Sequence, residues 1–287
     1  MSTSAPRVAG WSRRDVLGLA LATVGLSGLA GRRAGAAGLE GRRRWGDELA
    51  DFSPFERLHH PVVRLPVVTA NGDRVPIVVE MTHPMEPEHH IESVSVVNAR
   101  DPVPSKGVFR FTPESGQVSL AFQARLDAGP SDVAVTAHCS VHGDWTTVQS
   151  VTVADGRGGC AAPAPPADRR LGRDVLPPRV RIRQLLKAGR IRPDEIVDVE
   201  LSMRHPNRTG LVYRDGRFVL ESPPFHLDSL VALYGGEPVC RFAFTSALSD
   251  DPLIVFRLRA GSGGLLQVVL TNNRGGRFEA SARVEAS

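Results

Sequence analysis

Residues 62–79 read VVRLPVVTANGDRVPIVV, and the alternation in this stretch decides the fold class. Apolar side chains recur at every second position before and after the turn signal Ala70–Asn71–Gly72–Asp73. A period of two is typical of a half-buried β-strand, and an Asn-Gly pair between two such runs is a strong turn signal. The stretch therefore predicts two strands that are joined by a turn.

Segments of the same kind continue outward from this stretch as far as residue 153. Turn signals separate them at roughly the 8–12-residue spacing that is typical of a β-sandwich. No segment here carries a long 3.6-residue period, so the pattern indicates strands throughout. The further predicted strands are Ser93–Asn98, Gly107–Phe111, Gln117–Ala124, Ser131–His138 and Asp144–Val153.

A second run of strand-like segments begins at Arg179, after a stretch rich in glycine and proline. Proline-rich sequence favours extended polyproline geometry and forms a semi-rigid spacer. The predicted strands of this run are Arg179–Ile182, Ile196–Ser202, Arg217–Glu221, Leu230–Tyr234, Glu237–Thr245, Leu253–Arg259, Leu265–Thr271 and Gly276–Val284. We therefore expect an all-β chain with two immunoglobulin-like β-sandwich domains, at residues 59–155 and 179–287, joined by a Gly/Pro-rich arm at residues 156–178.

The first 36 residues have the features of a twin-arginine export signal. Arg13–Arg14 precedes an uncharged run from Val16 to Gly31, and Ala34–Gly35–Ala36 is a cleavage site of the A-x-A type. A membrane anchor is the alternative, but the run is shorter than about 18 apolar residues and is diluted by glycine. We expect export to the periplasm, cleavage, no membrane span afterwards, and an N-terminal linker at residues 37–58 with a short helix across Trp45–Ala50.

The formal charge of +4 also belongs to this segment. Five arginines and one aspartate lie within residues 1–36, so the rest of the chain has 30 basic and 30 acidic residues. A nucleic-acid-binding domain carries an excess of basic charge on one face. Because the remainder is neutral, we expect no nucleic-acid partner.

One of the three cysteines is distinguished by its surroundings. Cys139 and Cys240 lie on the apolar faces of predicted strands, which is typical of small core residues; a disulfide between them is the alternative. Cys160 instead follows Gly158 and Gly159 and precedes the proline-rich spacer. Because glycine leaves the backbone unrestricted, we expect Gly158 and Gly159 to make the arm flexible and Cys160 to be a free, exposed thiol. An unimportant linker cysteine, or one that dimerises the protein, is the alternative.

The histidines of the first half raise the question of a metal. His138–Cys139–Ser140–Val141–His142 has the cysteine–histidine spacing of copper sites, but Cys139 is expected on the core face. His59–His60, His83 and His89–His90 match no defined zinc spacing, and we interpret them as solvated loop residues. The sequence also has no nucleophile elbow, phosphate loop or dinucleotide fingerprint. We expect no metal, no cofactor and no enzymatic activity, with a copper-delivery or other metal-binding protein as an alternative.

Several motifs resemble the two subunits of the sulfur-oxidation (Sox) carrier. Those similar to the Y subunit, SoxY, are Leu65–Pro66, Ala70–Asn71–Gly72–Asp73–Arg74–Val75–Pro76, Phe109–Arg110–Phe111–Thr112–Pro113 and Gly158–Gly159–Cys160. Those similar to the Z subunit, SoxZ, are Pro178–Arg179–Val180–Arg181–Ile182, His205–Pro206–Asn207–Arg208–Thr209–Gly210 and Ser249–Asp250–Asp251–Pro252. The chain therefore resembles a fused SoxY–SoxZ carrier, an arrangement also similar to the carriers found with quinoprotein dehydrogenases.

The resemblance implies a non-catalytic carrier that holds sulfur intermediates covalently on Cys160. It implies Sox-type periplasmic partners for thiosulfate oxidation: a cytochrome that loads sulfur, a sulfate-releasing hydrolase and a sulfur dehydrogenase. An accessory protein of a quinoprotein (PQQ) dehydrogenase, without carrier chemistry, is the alternative. Arg157 is expected to attract anionic sulfur species. The family's arm ends in Gly-Gly-Cys-Gly-Gly, whereas here Ala161–Ala162–Pro163 follows and the chain continues, so the thiol must reach its partners from an internal loop.

Overall fold

The computed structural model describes residues 42–44, 52–154, 158–161 and 175–286, all within one compact unit, Gly41–Ser287. The predicted export signal, the predicted helix at Trp45–Ala50 and most of the Gly/Pro-rich arm lie outside the described residues. Among the residues that are described, no helix combines the length and the apolar character that a bilayer crossing requires.

The N-terminal half, residues 52–154, consists mainly of strands. Helix α1 spans Pro54–His59, and a 3-10 turn spans Pro113–Ser115. Strand β1 precedes this half, and the strands in order are β1 Arg42–Arg44, β2 Val62–Arg64, β3 Val68–Thr69, β4 Val75–Glu80, β5 Ile91–Val97, β6 Ser105–Phe111, β7 Ser119–Ala124, β8 Gly129–Cys139 and β9 Gly143–Val153.

The C-terminal half, residues 175–286, is built in the same way. Helix α2 spans Arg183–Ala188. The strands are β10 Arg179–Ile182, β11 Ile196–Ser202, β12 Leu211–Arg214, β13 Arg217–Leu220, β14 Leu227–Tyr234, β15 Glu237–Phe244, β16 Leu253–Arg259, β17 Gly264–Asn272 and β18 Arg277–Val284. The prediction of an all-β fold with β-sandwich architecture is confirmed; the predictions missed α1, α2, β1 and β12.

Both main sheets run through the two halves. The larger sheet has the order β1-β9-β8-β5-β6-β15-β14-β17-β18, with β3 beside β9, and the smaller has the order β10-β11-β16-β7-β4-β2. At the junction β6 pairs with β15 from Phe111↔Cys240 to Gly107↔Phe244, and β7 pairs with β16 at Leu120↔Phe256. The two sandwiches are therefore joined edge to edge by backbone hydrogen bonds, which leaves neither junction strand as an exposed edge.

Four fully buried phenylalanines continue this junction into the core. Phe109 packs against Phe122 and Phe242 with ring centroids 4.8 and 5.2 Å apart, and Phe242 meets Phe256 edge to face at 5.8 Å. These rings come from both sheets and from both halves. The two halves therefore share one hydrophobic core at their boundary. Each of these buried aromatic side chains stabilises that core by about 1.5–3 kcal/mol.

The opening stretch, residues 62–79, forms strands as predicted but serves both sheets. Strand β2 pairs with β4 in the smaller sheet, with Val63 opposite Val79. Strand β3 lies between them in sequence and runs parallel to β9 in the larger sheet. The turn closes with the Asn71 side chain accepting a hydrogen bond from the Asp73 amide at 2.9 Å. The chain therefore crosses from one sheet to the other and back around this turn.

Candidate functional site

The segment Gly158–Ala161, here called the cysteine segment, lies between the two halves. The Gly159 amide donates to the Leu126 carbonyl at 2.8 Å, and the Thr209 hydroxyl donates to the Cys160 carbonyl at 2.8 Å. The Cys160 side chain is fully buried. The expectation that this thiol is exposed is therefore wrong for the conformation that the structure describes.

The two glycines of the segment allow this close packing. A Cβ atom on Gly159 would stand 2.2 Å from the Gly72 carbonyl oxygen, and one on Gly158 would stand 2.5 Å from a carboxylate oxygen of Asp127 and 2.8 Å from the Ala128 amide nitrogen. Real Cβ atoms do not approach backbone so closely. The glycines at these positions thus let the segment pass against the SoxY-like turn at Gly72, in addition to any flexibility that they confer.

Arg125, which is almost fully buried, connects the cysteine segment to both halves. Its Nη1 donates to the Gly159 carbonyl at 3.1 Å and to the Asp73 carboxylate at 2.7 Å. Its Nη2 donates to the Asn207 carbonyl and lies 3.0 Å from the Asp250 carboxylate. One guanidinium therefore bridges the cysteine segment, the N-terminal half and the C-terminal half, and its charge is balanced by two carboxylates.

Two SoxZ-like motifs meet on the C-terminal side of this junction. The Asn207 amide donates to the Asp250 carboxylate at 2.6 Å, and the Asn207 side chain donates to the Ser249 carbonyl at 2.6 Å. The Asp251 carboxylate accepts from the His205 amide at 3.0 Å. These contacts fix the loop that carries Thr209, so motifs that are 40 residues apart in sequence support the same contact to Cys160.

Burial raises the pKa of the Cys160 thiol to about 12. The nearby cations Lys106 and Arg125 favour the thiolate, whereas Asp101 and Asp127 oppose it. Lys106 is itself buried and forms an ion pair with Asp101 at 2.5 Å. Because the thiolate is the nucleophile, the buried thiol is inert at neutral pH, and reaction at Cys160 requires the cysteine segment to leave its place.

The other two cysteines are buried, and all three, each within the described residues, are free. The interpretation of Cys139 and Cys240 as core residues is confirmed, and the alternative disulfide between them is not formed. Burial strongly raises the pKa of Cys240. The assignment of Cys160 as the sulfur attachment site stays a prediction, and Arg157 lies outside the described residues.

A second group of side chains, all of which could ligate a metal, surrounds Cys139. We call it the histidine–cysteine cluster, and its members are His59, His83, His89, Cys139 and His142. The ligand atoms of four of them, all except His83, lie within 4.8 Å of one another. The fifth, His83, places Nε2 3.1 Å from His89 Nε2 and 3.5 Å from the Cys139 sulfur.

Regular structure brings these residues together. Strands β5 and β8 pair with Ile91 opposite Cys139, so the chain just before β5 lies beside the end of β8. This pairing places His89 near Cys139, and the tight β8–β9 turn returns His142 to the same end of the sheet. Helix α1, which Ser53 caps through a reciprocal bond with Glu56, ends at His59 and adds its ring from the side.

The cluster is tight at its centre. His142 Nδ1 lies 3.0 Å from His59 Nε2 and 3.6 Å from the Cys139 sulfur. His59, His83 and Cys139 are at most 2% exposed, whereas His89 is half-buried and His142 is exposed. The cluster is therefore closed on the core side and open to solvent on the His142 side.

Backbone carbonyls fix the orientation of two of the rings. His59 Nδ1 donates to the Phe55 carbonyl at 2.8 Å, and His83 Nδ1 donates to the Pro84 carbonyl at 2.6 Å. A neutral imidazole with a proton on Nδ1 has a lone pair on Nε2, and in both rings Nε2 points into the cluster. Burial and the neighbouring histidines lower the pKa of His83 to about 4, so this ring is neutral at pH 7.

The interpretation of these histidines as solvated loop residues is wrong for His59 and His83, which are buried. The usable signal in the sequence is the pair of spacings His83-x5-His89 and Cys139-x2-His142. Neither spacing indicates that the two segments meet, because that depends on the pairing of β5 with β8. Of the two histidines around Cys139, His142 joins the cluster and His138 instead contacts Asp144 at 2.6 Å.

Comparisons with known proteins match both halves of the chain to sulfur oxidation families. Residues 57–160 match the family model "Sulfur oxidation protein SoxY", and residues 186–283 match "Sulphur oxidation protein SoxZ". The SoxY match ends on Cys160. A search of curated proteins returned no match.

Solved structures share only part of the architecture. A superoxide reductase (neelaredoxin) from Ignicoccus hospitalis is 20% identical over 34% of this chain and 82% of its own, with a TM-score of 0.31. The superoxide reductase from Nanoarchaeum equitans is 20% identical over 33% and 94%, with a TM-score of 0.27. Murine CEACAM1b is 12% identical over 79% and 100%, with a TM-score of 0.23. At these scores the likeness describes neither a site nor an activity of this chain.

The two family matches lie in sequence order, without overlap, and together span most of the chain. The junction that carries Cys160 is built from residues of both matched regions, and the SoxY-like and SoxZ-like motifs contact each other there. The chain therefore belongs to the SoxY and SoxZ families of sulfur oxidation proteins, with a SoxY region and a SoxZ region fused in one polypeptide.

Proposed function

We propose that this protein is a periplasmic covalent sulfur carrier in which Cys160 holds the sulfur intermediate. The two family matches support a carrier role in sulfur oxidation. The observation that carries the finer proposal is the position of Cys160, at the last residue of the SoxY match and on an irregular segment that hydrogen bonds tie to both halves. The protein provides the attachment point, and partner enzymes perform the chemistry.

The loading reaction joins the carrier to thiosulfate through a new sulfur–sulfur bond. The Cys160 thiol loses its proton, its sulfur bonds to the outer sulfur of thiosulfate, and two electrons pass to the partner that performs the loading. A Sox-type cytochrome is the expected acceptor of those electrons. A hydrolase then releases sulfate by attack of water on the terminal sulfonate, which leaves a persulfide on Cys160.

The buried state of Cys160 acts as a resting state of the carrier. With the pKa of the thiol raised to about 12, the closed cysteine segment protects it from oxidants and from disulfide exchange. Loading requires an open state in which the contacts of Gly159 and Cys160 with Leu126, Arg125 and Thr209 are broken. Each bond of this kind contributes about 0.5–1.5 kcal/mol, so opening is within reach of thermal fluctuation or of partner binding.

Export to the periplasm accounts for the N-terminal sequence. The twin-arginine pattern at Arg13–Arg14 and the cleavage site at Ala34–Gly35–Ala36 support this route. In that compartment the carrier meets Sox-type enzymes. Because the cysteine segment is internal, we infer that those partners accept a hairpin that carries the thiol rather than a free chain end.

Intact-mass spectrometry of protein purified without reductant from the native host tests the proposal. After exposure of the cells to thiosulfate we expect sulfur and sulfonate adducts that are lost in Cys160→Ser and kept in the matched variant Cys240→Ser. An unmodified thiol or a plain dimer under every condition would overturn the carrier function. That result would favour the accessory role beside a quinoprotein dehydrogenase.

A further inference from the structure

We propose that the histidine–cysteine cluster is a mononuclear iron site with four histidine nitrogens and one cysteine sulfur as ligands. The ligand atoms are Nε2 of His59, His83 and His89, Nδ1 of His142 and Sγ of Cys139. The proposal is independent of Cys160 and of the carrier function.

The distances suit ligands of a single ion. Metal–nitrogen bonds of about 2.1 Å and metal–sulfur bonds of about 2.3 Å put two ligands of one ion no more than about 4.4 Å apart. The corresponding atoms of His59, His89, Cys139 and His142 lie within 4.8 Å of one another, so an ion would have to draw the widest pair together by up to about 0.4 Å. His83 Nε2 stands 3.1 and 3.5 Å from two of these positions, so it is placed to be a fifth ligand.

The arrangement of protons also favours a cation at the centre. His59 and His83 donate their Nδ1 protons outward to backbone carbonyls, which leaves both Nε2 lone pairs directed inward. This is the arrangement that orients histidine ligands in metal sites. A hydrogen-bonded network of the histidines and the Cys139 thiol is the alternative, because the Cys139 sulfur also lies within hydrogen-bond distance of His83 Nε2 (3.5 Å) and His142 Nδ1 (3.6 Å).

The number and type of ligands favour iron over zinc and copper. Zinc in structural sites is almost always four-coordinate, so at such a site it would leave one of the five ligands unused. Copper–thiolate sites use two histidines and one cysteine in a trigonal arrangement. Four imidazoles and one thiolate instead leave one position of an octahedron open. Imidazole is a ligand that suits iron, and non-haem iron sites keep open positions of this kind.

The open position faces solvent. Cys139 lies on the core side of the cluster, whereas His142 is exposed and His89 is half-buried. Phe55 and Trp145 line this side: the Phe55 ring centroid lies 4.3 Å from that of His59 and 5.0 Å from that of His142, and the Trp145 centroid lies 4.8 Å from that of His59. A small anion in solution can therefore reach the iron without displacing a protein ligand.

Titration of the full-length chain with Fe(II) tests the proposal. Protein stripped of metal under anaerobic conditions receives Fe(II) and is then oxidised with ferricyanide. We expect about one tightly bound iron per chain and a visible thiolate-to-Fe(III) charge-transfer band that azide shifts. The band is expected to be absent in Cys139→Ser.

Two further variants distinguish loss of a ligand from a general effect of substitution near Cys139. His83→Gln retains the thiol and is expected to weaken iron binding by at least the roughly 10–100-fold that loss of an outer-shell partner costs. His138→Gln, beside Cys139 but outside the cluster, is expected to change nothing. Circular dichroism confirms the fold of each variant. The proposal is overturned if folded wild-type protein binds no iron, if the band survives Cys139→Ser, or if protein from the native host holds zinc or copper at this site.

Discussion

Cys139 and Cys160 are both buried, but their surroundings differ in kind. Cys139 ends a regular strand and faces four imidazoles, two of which have their orientation fixed by backbone carbonyls. Cys160 lies on an irregular segment between the two halves, and the described contacts of that segment include no polar partner for its thiol. The proposed iron site therefore has its ligands oriented before an ion binds, whereas the proposed carrier function requires the buried backbone around Cys160 to be released.

Addition of iron should produce the largest difference between the alkylation rates of Cys139 and Cys160. At a free Fe(II) concentration of 100 times Kd, about 1% of the sites are empty, so we expect alkylation of Cys139 by iodoacetamide to slow about 100-fold. The rate at Cys160 should stay the same, because this thiol is not part of the histidine–cysteine cluster. Peptide mapping by mass spectrometry measures both rates in one sample. Equal protection of both cysteines, or of neither, would contradict the distinction.

Gly159→Ala should instead change the alkylation rate of Cys160 and leave that of Cys139 unchanged. The added methyl would stand 2.2 Å from the Gly72 carbonyl, a backbone atom that cannot rotate away. Overpacking of this kind costs about 2 kcal/mol, which corresponds to an approximately 30-fold rise in Cys160 alkylation. The rate at Cys139 should not change.

Gly189→Ala is the control for this variant. It strains a left-handed residue with φ +71°, but its added methyl meets no atom within 4 Å. An equal rise in Cys160 labelling in both variants would show that general destabilisation, and not release of the cysteine segment, controls access to the thiol.

The pH dependence of labelling reports on the closed state of Cys160. Burial raises the pKa of this thiol from 9.0 to about 12. The stability of the closed state is thus fully present below pH 9 and is lost as the pH rises through 12. If reaction occurs only from the open state, the Cys160 rate should rise about tenfold per pH unit between pH 9 and 11, whereas the rate of a free thiol levels off. A Cys160 rate that levels off near pH 9 would mean that the segment is already open.

Much of the fold could be predicted from the sequence, because each strand carries its own alternation. The strands around Val75–Val79 and Ser93–Asn98 show this, since their buried side chains fall at every second position. The continuity of the sheets could not be predicted in this way. The pairing of β6 with β15 joins residues more than 120 positions apart, and no local pattern in either strand specifies its neighbour.

The two sites also differ in how far local sequence could predict them. The Gly158–Gly159–Cys160 motif is contiguous, so its presence and its family resemblance could be recognised, but its burial depends on Arg125 and Thr209 from opposite halves. The histidine–cysteine cluster draws on three separate segments of the chain. His59 comes from a helix that the sequence pattern did not indicate, and His89 reaches Cys139 only through the register of β5 on β8.

Thr209→Val makes the smallest change that should still release Cys160. Valine has nearly the same shape as threonine, but it cannot donate to the Cys160 carbonyl, which accepts from Thr209 Oγ1 at 2.8 Å. Valine also cannot accept from the Leu211 amide, which donates to Thr209 Oγ1 at 3.1 Å, but only the bond to Cys160 holds the cysteine segment. Loss of that bond costs about 1 kcal/mol, so Cys160 alkylation should rise about fivefold. Thr112→Val is the matched control, because Thr112 donates in the same way to the Pro238 carbonyl at 2.7 Å but does not touch the cysteine segment. If the two variants raise the Cys160 rate equally, the cysteine segment opens only when the whole fold opens. If Thr209→Val alone raises the rate, the segment opens by itself, which a carrier that presents its thiol to partners requires.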